Sequence, residues 1–152
     1  MPDPGIVTSW ERLPYTISTE RAHLDIDRIH AFLTRSYWAA GIPRAVVVKS
    51  LEHSLCFSLL CNEMQVGFAR VVSDFATFAY LADVFVEEAH QGRGLSKWLM
   101  EVIVGHPDLQ GLRRFLLATR DAHGLYAQYG FTPLAAPQRW MERHDPDVYR
   151  SA

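Results

Sequence analysis

The stretch that most limits the fold runs from residue 75 to residue 104. FATFAYLADVFVEE carries one charge, Asp83, before the two glutamates that end it. An apolar run of that length, bounded by charged and turn residues, is strand material, and its near-continuous hydrophobicity predicts a strand buried on both faces. HQGRGLS follows, and the overlapping segment GLSKWLMEVIV sets Leu95, Trp98, Leu99 and Val102 at helical spacing. A strand that feeds a glycine turn and then a helix commits this half of the chain to a crossover connection.

The flanking segments fill in the rest. LPYTISTE alternates as a strand does. Asp25 is placed to cap a helix running to about Arg35, with Ile26, Ile29, Phe32 and Leu33 on one face. Gly41 and Pro43 mark a loop, and Pro43 opens a short helix through Ser50, although AVVV serves equally as a strand. HSLCFSLLCN and QVGFARVVSD read as two strands joined by a tight turn at Asn62 and Glu63. Downstream, RRFLLAT is a strand, DAHGLYAQYG a helix closed by Gly130, FTPL a strand, and QRWMERH a further candidate strand. Residues 1–12, with two prolines and a glycine, read as a loose lead-in. The order β, α, α, β-β-β, α, β, α, β predicts one mixed α+β domain over residues 1–152, with helices on both sides of its sheet.

Composition excludes several functions. The formal net charge is -2 and no Lys/Arg block exists, so a nucleic-acid partner is not expected. Cys56 and Cys61, five apart on one strand, point to opposite faces and form no disulfide. The dispersed histidines give no metal-ligand spacing, so no metal is expected. No apolar run reaches the ~18 residues of a membrane span, and the N-terminus lacks a secretory pattern, so the expected setting is cytoplasmic and off the membrane.

The turn carries chemistry of its own. The first turn of a helix leaves backbone N–H groups without partners, and the aligned peptide dipoles add positive charge there. Gly92 and Gly94 let an anion approach, and Arg93 adds a full charge. On spacing alone, a plain strand-to-helix turn with strain-relieving glycines explains the same residues equally well. GxxxxGK[ST] and GxGxxG are both absent, which removes nucleotide hydrolysis and dinucleotide binding.

The second motif decides between these readings. Together, LADVFVEEAHQGRGLSKWLM and LLATRDAHGLYAQYGFTPL resemble the GNAT superfamily of acyl-CoA-dependent N-acetyltransferases. Gln91, Gly92, Arg93, Gly94 and Leu95 fit its [QR]-x-x-G-x-[GA] turn. Ala122, Leu125, Tyr126, Gly130 and Phe131 fit its A-x-x-L-Y-x-x-x-G-F helix. Ser96 stands where the family has Gly or Ala, and Thr119 where it often has Asn.

The resemblance implies a central mixed, mostly antiparallel sheet splayed between its fourth and fifth strands. The cofactor, acetyl-CoA as acyl donor, would lie in that gap. Val84, Phe85 and Val86 would line its pantetheine arm, the amides of Gln91 to Ser96 would hold its pyrophosphate, and Thr119 would add a hydroxyl. Tyr126 would return a proton to the departing thiolate, unless it only packs as a helix-face aromatic. Asp83 either serves the acceptor amine or is an internal partner for a cation such as Arg70. Glu87 and Glu88 read either as a water-linked base or as a solvated strand end, and His123 is a reserve on the Tyr126 helix. Tyr37 and Trp38 would either wall the acceptor pocket or only pack under the first helix. The implied function is acetyl transfer to a primary amine of a small molecule, peptide or protein, by a chain that can form a homodimer. The alternative is a catalytically silent CoA-binding sensor.

Overall fold

The structure is a computed structural model and describes residues 8–150. Six strands lie in chain order in one sheet: β1 (Ser9–Arg12), β2 (Tyr15–Ser18), β3 (Leu55–Cys61), β4 (Met64–Ser73), β5 (Phe78–Val86) and β6 (Arg114–Leu117). Neighbours through β5 pair antiparallel, and β5 pairs with β6 in parallel. Helices α1 (Ile26–Leu33) and α2 (Arg44–Glu52) lie between β2 and β3, α3 (Leu95–Val104) crosses from β5 to β6, and α4 (His123–Ala127) follows β6.

Local chemistry explains the boundaries. The Asp25 carboxylate accepts the Arg28 amide at 3.1 Å and starts α1. Pro43 precedes α2, whose Val47 and Leu51 turn inward, so AVVV is helical here. Asn62 and Glu63 both take left-handed φ values, 49° and 73°, which suit a two-residue hairpin.

Each face of the sheet has its own core. On one, Leu99, Met100 and Ile103 of α3 meet Phe57, Leu59, Val71 and Leu81. On the other, Ile29, Leu33, Val47 and Leu51 of α1 and α2 meet Cys56, Phe68 and Phe85. Helices therefore cover both faces, as predicted. Cys56 belongs to the second core and Cys61 packs against the first, and both are free thiols.

β5 is not regular. Phe68 pairs with Phe85 and Arg70 with Ala82, so Ala69 alone stands opposite both Asp83 and Val84. That is a β-bulge, and Asp83 sits in it with a left-handed φ of 56°. An extra residue reverses the facing of everything after it. Ala79 and Leu81 point into the α3 core, but past the bulge Val86 does so, and Phe85 points into the α1/α2 core.

Several expectations are corrected. β5 is not covered on both faces along its length: Phe78 is exposed, and Tyr80, Ala82, Asp83 and Val84 are half-buried. Of the lead-in expected over residues 1–12, residues 1–7 lie outside the described residues, and Ser9–Arg12 is not loose but pairs with β2 as an extra strand. The splay therefore falls between this chain's fifth and sixth strands. FTPL forms no ladder with β6, since Pro133 removes a donor and Pro137 begins a 3-10 turn. QRWMERH is no strand either; the Arg114 guanidinium lies 4.8 Å over the Trp140 ring and holds that segment against β6. α4 is shorter than DAHGLYAQYG. It closes with Gly130 at φ 88° and the Phe131 amide donating to the Tyr126 carbonyl at 3.3 Å.

Gly67 on β4 is a position the sequence did not single out. A Cβ there would lie 2.9 Å from Leu59 Cδ2 and 2.9 Å from the Phe85 carbonyl oxygen. The carbonyl belongs to the ladder beside the bulge and cannot yield freely. Gly67→Ala is expected to cost about 1–3 kcal/mol, read as a lowered midpoint in thermal or urea unfolding; an unchanged midpoint would show that the ladder yields at no cost.

Candidate active site

The glycine turn opens α3 with its donors free. Gly92 and Gly94 take φ values of 79° and 75°, which any side chain would resist. No side chain caps the helix, and among the described residues nothing accepts from the backbone amides of Gly92 to Lys97. A cavity of about 200 Å³ lies against them, lined by Val86, Gly92, Gly94, Ser96 and Lys97, with Leu125 of α4 opposite. Ser96 brings a hydroxyl to this cavity. The cation among the lining residues is Lys97, and Arg93 on the exposed turn is not one of them.

Gln91 has a different part. Its amide donates to the Glu88 carbonyl at 3.2 Å, and its side-chain Nε2 donates to the Val86 carbonyl at 2.9 Å. Gln91 thus shapes the turn from within. His90 helps, with Nδ1 2.8 Å from the buried Tyr15 hydroxyl, and the Glu87 amide donates to Val66 at 2.8 Å. Neither Tyr15, His90 nor Lys97 was legible as a site residue, because no local motif marks them.

The gap beside β5 is open. Its parallel ladder with β6 ends at Leu81 opposite Leu117, and residues 82–86 continue without a partner on that side. Val84 therefore keeps free backbone toward the gap, in line with the turn, while the Val86 carbonyl is taken by Gln91 Nε2. The Phe85 side chain faces away and stacks on Phe32 at 3.8 Å.

Tyr126 comes from α4. Its ring packs in the α3 core edge-on to Phe131 at 6.2 Å, and it is 9% exposed. Burial, and secondly the Tyr37 phenol, push its pKa above the ordinary phenol value. Thr119 caps the approach to α4 by accepting the Ala122 amide at 3.0 Å. Tyr129 ties α4 to α3 by donating its hydroxyl to the Lys97 carbonyl at 2.8 Å. Tyr126, Thr119 and His123 also line a second, larger cleft of about 1090 Å³ between β6 and residues 131–140. Size alone does not make that cleft the chemical site: it holds none of the free amides of the turn and none of β5.

Asp83 does not stand alone. Its Oδ2 accepts from Arg70 Nε at 2.8 Å, and its Oδ1 accepts from Trp38 Nε1 at 2.9 Å. Arg70 also donates to Ser54 Oγ at 3.1 Å. Both charged side chains are largely buried, 11% exposed for Asp83 and 18% for Arg70. The Tyr37 ring stands edge-on to Trp38 at 5.1 Å, with the Arg120 guanidinium 3.9 Å over its face. Glu87 is 3.8 Å from Arg28, and Glu88 starts a 3-10 turn.

Comparison with known proteins agrees with this geometry. The model of the acetyltransferase (GNAT) domain matches residues 52–133. A curated protein of Gibberella zeae, named a putative acetyltransferase, is 33% identical over 143 residues, 79% of this chain and 80% of that protein. A crystal structure of a GNAT-family protein from Xanthomonas campestris pv. campestris is 57% identical with a TM-score of 0.87, covering 89% of this chain and 96% of that one. A Clostridium acetobutylicum structure holding acetyl-CoA shares the fold, with a TM-score of 0.61 at 15% identity over 86% of this chain and 94% of that one. Turn, splayed strands and tyrosine helix thus occur together in one chain, and on the matched domain and its relatives that chain belongs to the GNAT acetyltransferase family.

Proposed function

We propose that the protein transfers an acetyl group from acetyl-CoA directly to a primary amine. The observation that carries this reading is the run of unpartnered amides from Gly92 to Lys97, set at the end of a strand edge that is also open. Amides and helix dipole suit a pyrophosphate, and Lys97 adds charge. The edge of β5 suits the amide groups of a pantetheine arm, which would run beside Val84 and Val86 as a short extra strand. The solved relative with acetyl-CoA bound supports the choice of donor.

The chemistry needs little more. A neutral amine nitrogen attacks the thioester carbonyl carbon, so a C–N bond forms and the carbonyl π pair moves to oxygen. A backbone N–H near Val84 would stabilise that oxyanion. The C–S bond then breaks, and the Tyr126 phenol gives its proton to the thiolate. The amine loses its proton to solvent. Asp83, with each oxygen already accepting a bond, is better placed to hold the bulge than to take that proton.

Isothermal titration with acetyl-CoA, followed by mass spectrometry of reactions with glucosamine, spermidine and a lysine peptide, tests the reading. The expected result is saturable binding at roughly micromolar concentration and a 42 Da gain, about the mass of one acetyl group, on at least one amine. Binding without transfer to any of them would instead leave a CoA-binding sensor.

A further inference from the structure

Three segments far apart in sequence meet beside the bulge. Trp38, on the loop between α1 and α2, donates its indole N–H to Asp83 at 2.9 Å. Next to it, Phe32 packs 6.2 Å from Trp38 and stacks on Phe85 at 3.8 Å, just beyond the bulge. The loop is therefore tied to β5 directly by the hydrogen bond at Asp83, and indirectly through Phe32 of α1, which stacks on Phe85. At its outer end Tyr37 lies under Arg120, which belongs to the connection between β6 and α4. Tyr37 and Trp38 remain 57% and 43% exposed, so their free faces are available to a molecule arriving at Tyr126.

An unanchored loop of this kind would pay the entropy of ordering each time an acceptor bound. Here a bond to the acyl-donor strand has already ordered it. The bond ends on the one residue of β5 held in a left-handed conformation, so the indole is tied to the bulge itself.

We propose that Trp38 is a positioning residue for acceptor binding: through its bond to Asp83 it fixes the Tyr37–Trp38 wall across the reaction centre, coupling the acceptor pocket to the bulge of the donor strand. Arg120 secures the same wall from the α4 side by stacking on Tyr37. This rests on the acetyltransferase reading above.

The test compares wild type with Trp38→Phe, which keeps an aromatic ring and removes the donor. The probes are acetyl-CoA by titration and, by initial rates, whichever of glucosamine, spermidine or the lysine peptide the wild type acetylates fastest. The expected result is an acceptor KM raised about tenfold, with kcat and the acetyl-CoA Kd changed less than about twofold. In the Asp83→Ala background, where the indole has no acceptor, the same change should add little, because the two residues act through one bond. An unchanged acceptor KM, or equal losses in acceptor KM, Kd and melting temperature, would overturn the proposal. A wild type that binds no acetyl-CoA overturns the functional reading itself, and the Kd arm shows which of the two has failed.

Discussion

Tyr126→Phe is expected to lower kcat about a hundredfold while acetyl-CoA binding stays within about twofold. The ring is buried in the α3 core, and Phe fills the same space, so the substitution removes a proton and very little packing. Burial first, and the nearby Tyr37 phenol second, raise the Tyr126 pKa above the phenol value of 10.0. The group is thus protonated across the neutral range, as a proton donor to a leaving thiolate must be. The sign of the pH effect follows. A raised pKa keeps the acid form present as pH rises, so Tyr126 imposes no fall in kcat below about pH 10. The kcat profile of wild type checks both points: an alkaline fall centred near neutrality, or a Phe variant with most of its turnover, would remove Tyr126 from the proton transfer.

Asp83 should give the largest stability effect. Asp83→Ala leaves a guanidinium 18% exposed with only Ser54 as a neutral partner, and is expected to cost about 3 kcal/mol. Asp83→Asn separates charge from geometry. Asn accepts a left-handed backbone as readily as Asp, so the bulge at φ 56° is undisturbed. Its one oxygen can serve Arg70 or Trp38 but not both, which predicts a loss of about 1–2 kcal/mol. Denaturant unfolding measures both variants. Turnover decides the chemical role: a loss of less than about tenfold in kcat for Asn fits a positioning carboxylate, and a loss of about a hundredfold would restore Asp83 as the base.

The parts of the site that could be read from sequence are those built from neighbours in the chain. The glycines of HQGRG, the helix after it and the Gly130 closure of α4 depend on backbone preferences that act over a few residues, and each was found where expected. Asp83 was visible as an anomaly, a charge in an apolar strand, and Arg70 could be named beside it. Its second partner could not. Trp38 lies 45 residues away, on a loop with no periodicity to orient it. Lys97 was hidden for a different reason, since a lysine in a first helical turn looks the same whether it faces solvent or a cavity.

The sequence alone determined the family, the crossover through the glycine turn and the phenol on its short helix, because glycine φ, helix periods and motif spacing are local and survive without a fold. Tertiary structure alone decided where β5 bulges, which of its residues changes face, and which indole closes on Asp83 beside Arg70. Those depend on two residues of β5 standing opposite one of β4, on Pro133 keeping the last segment out of the ladder, and on loops being fixed by what they pack against. Pairing between distant strands is a property of the assembled sheet, and nothing in either strand taken by itself specifies it.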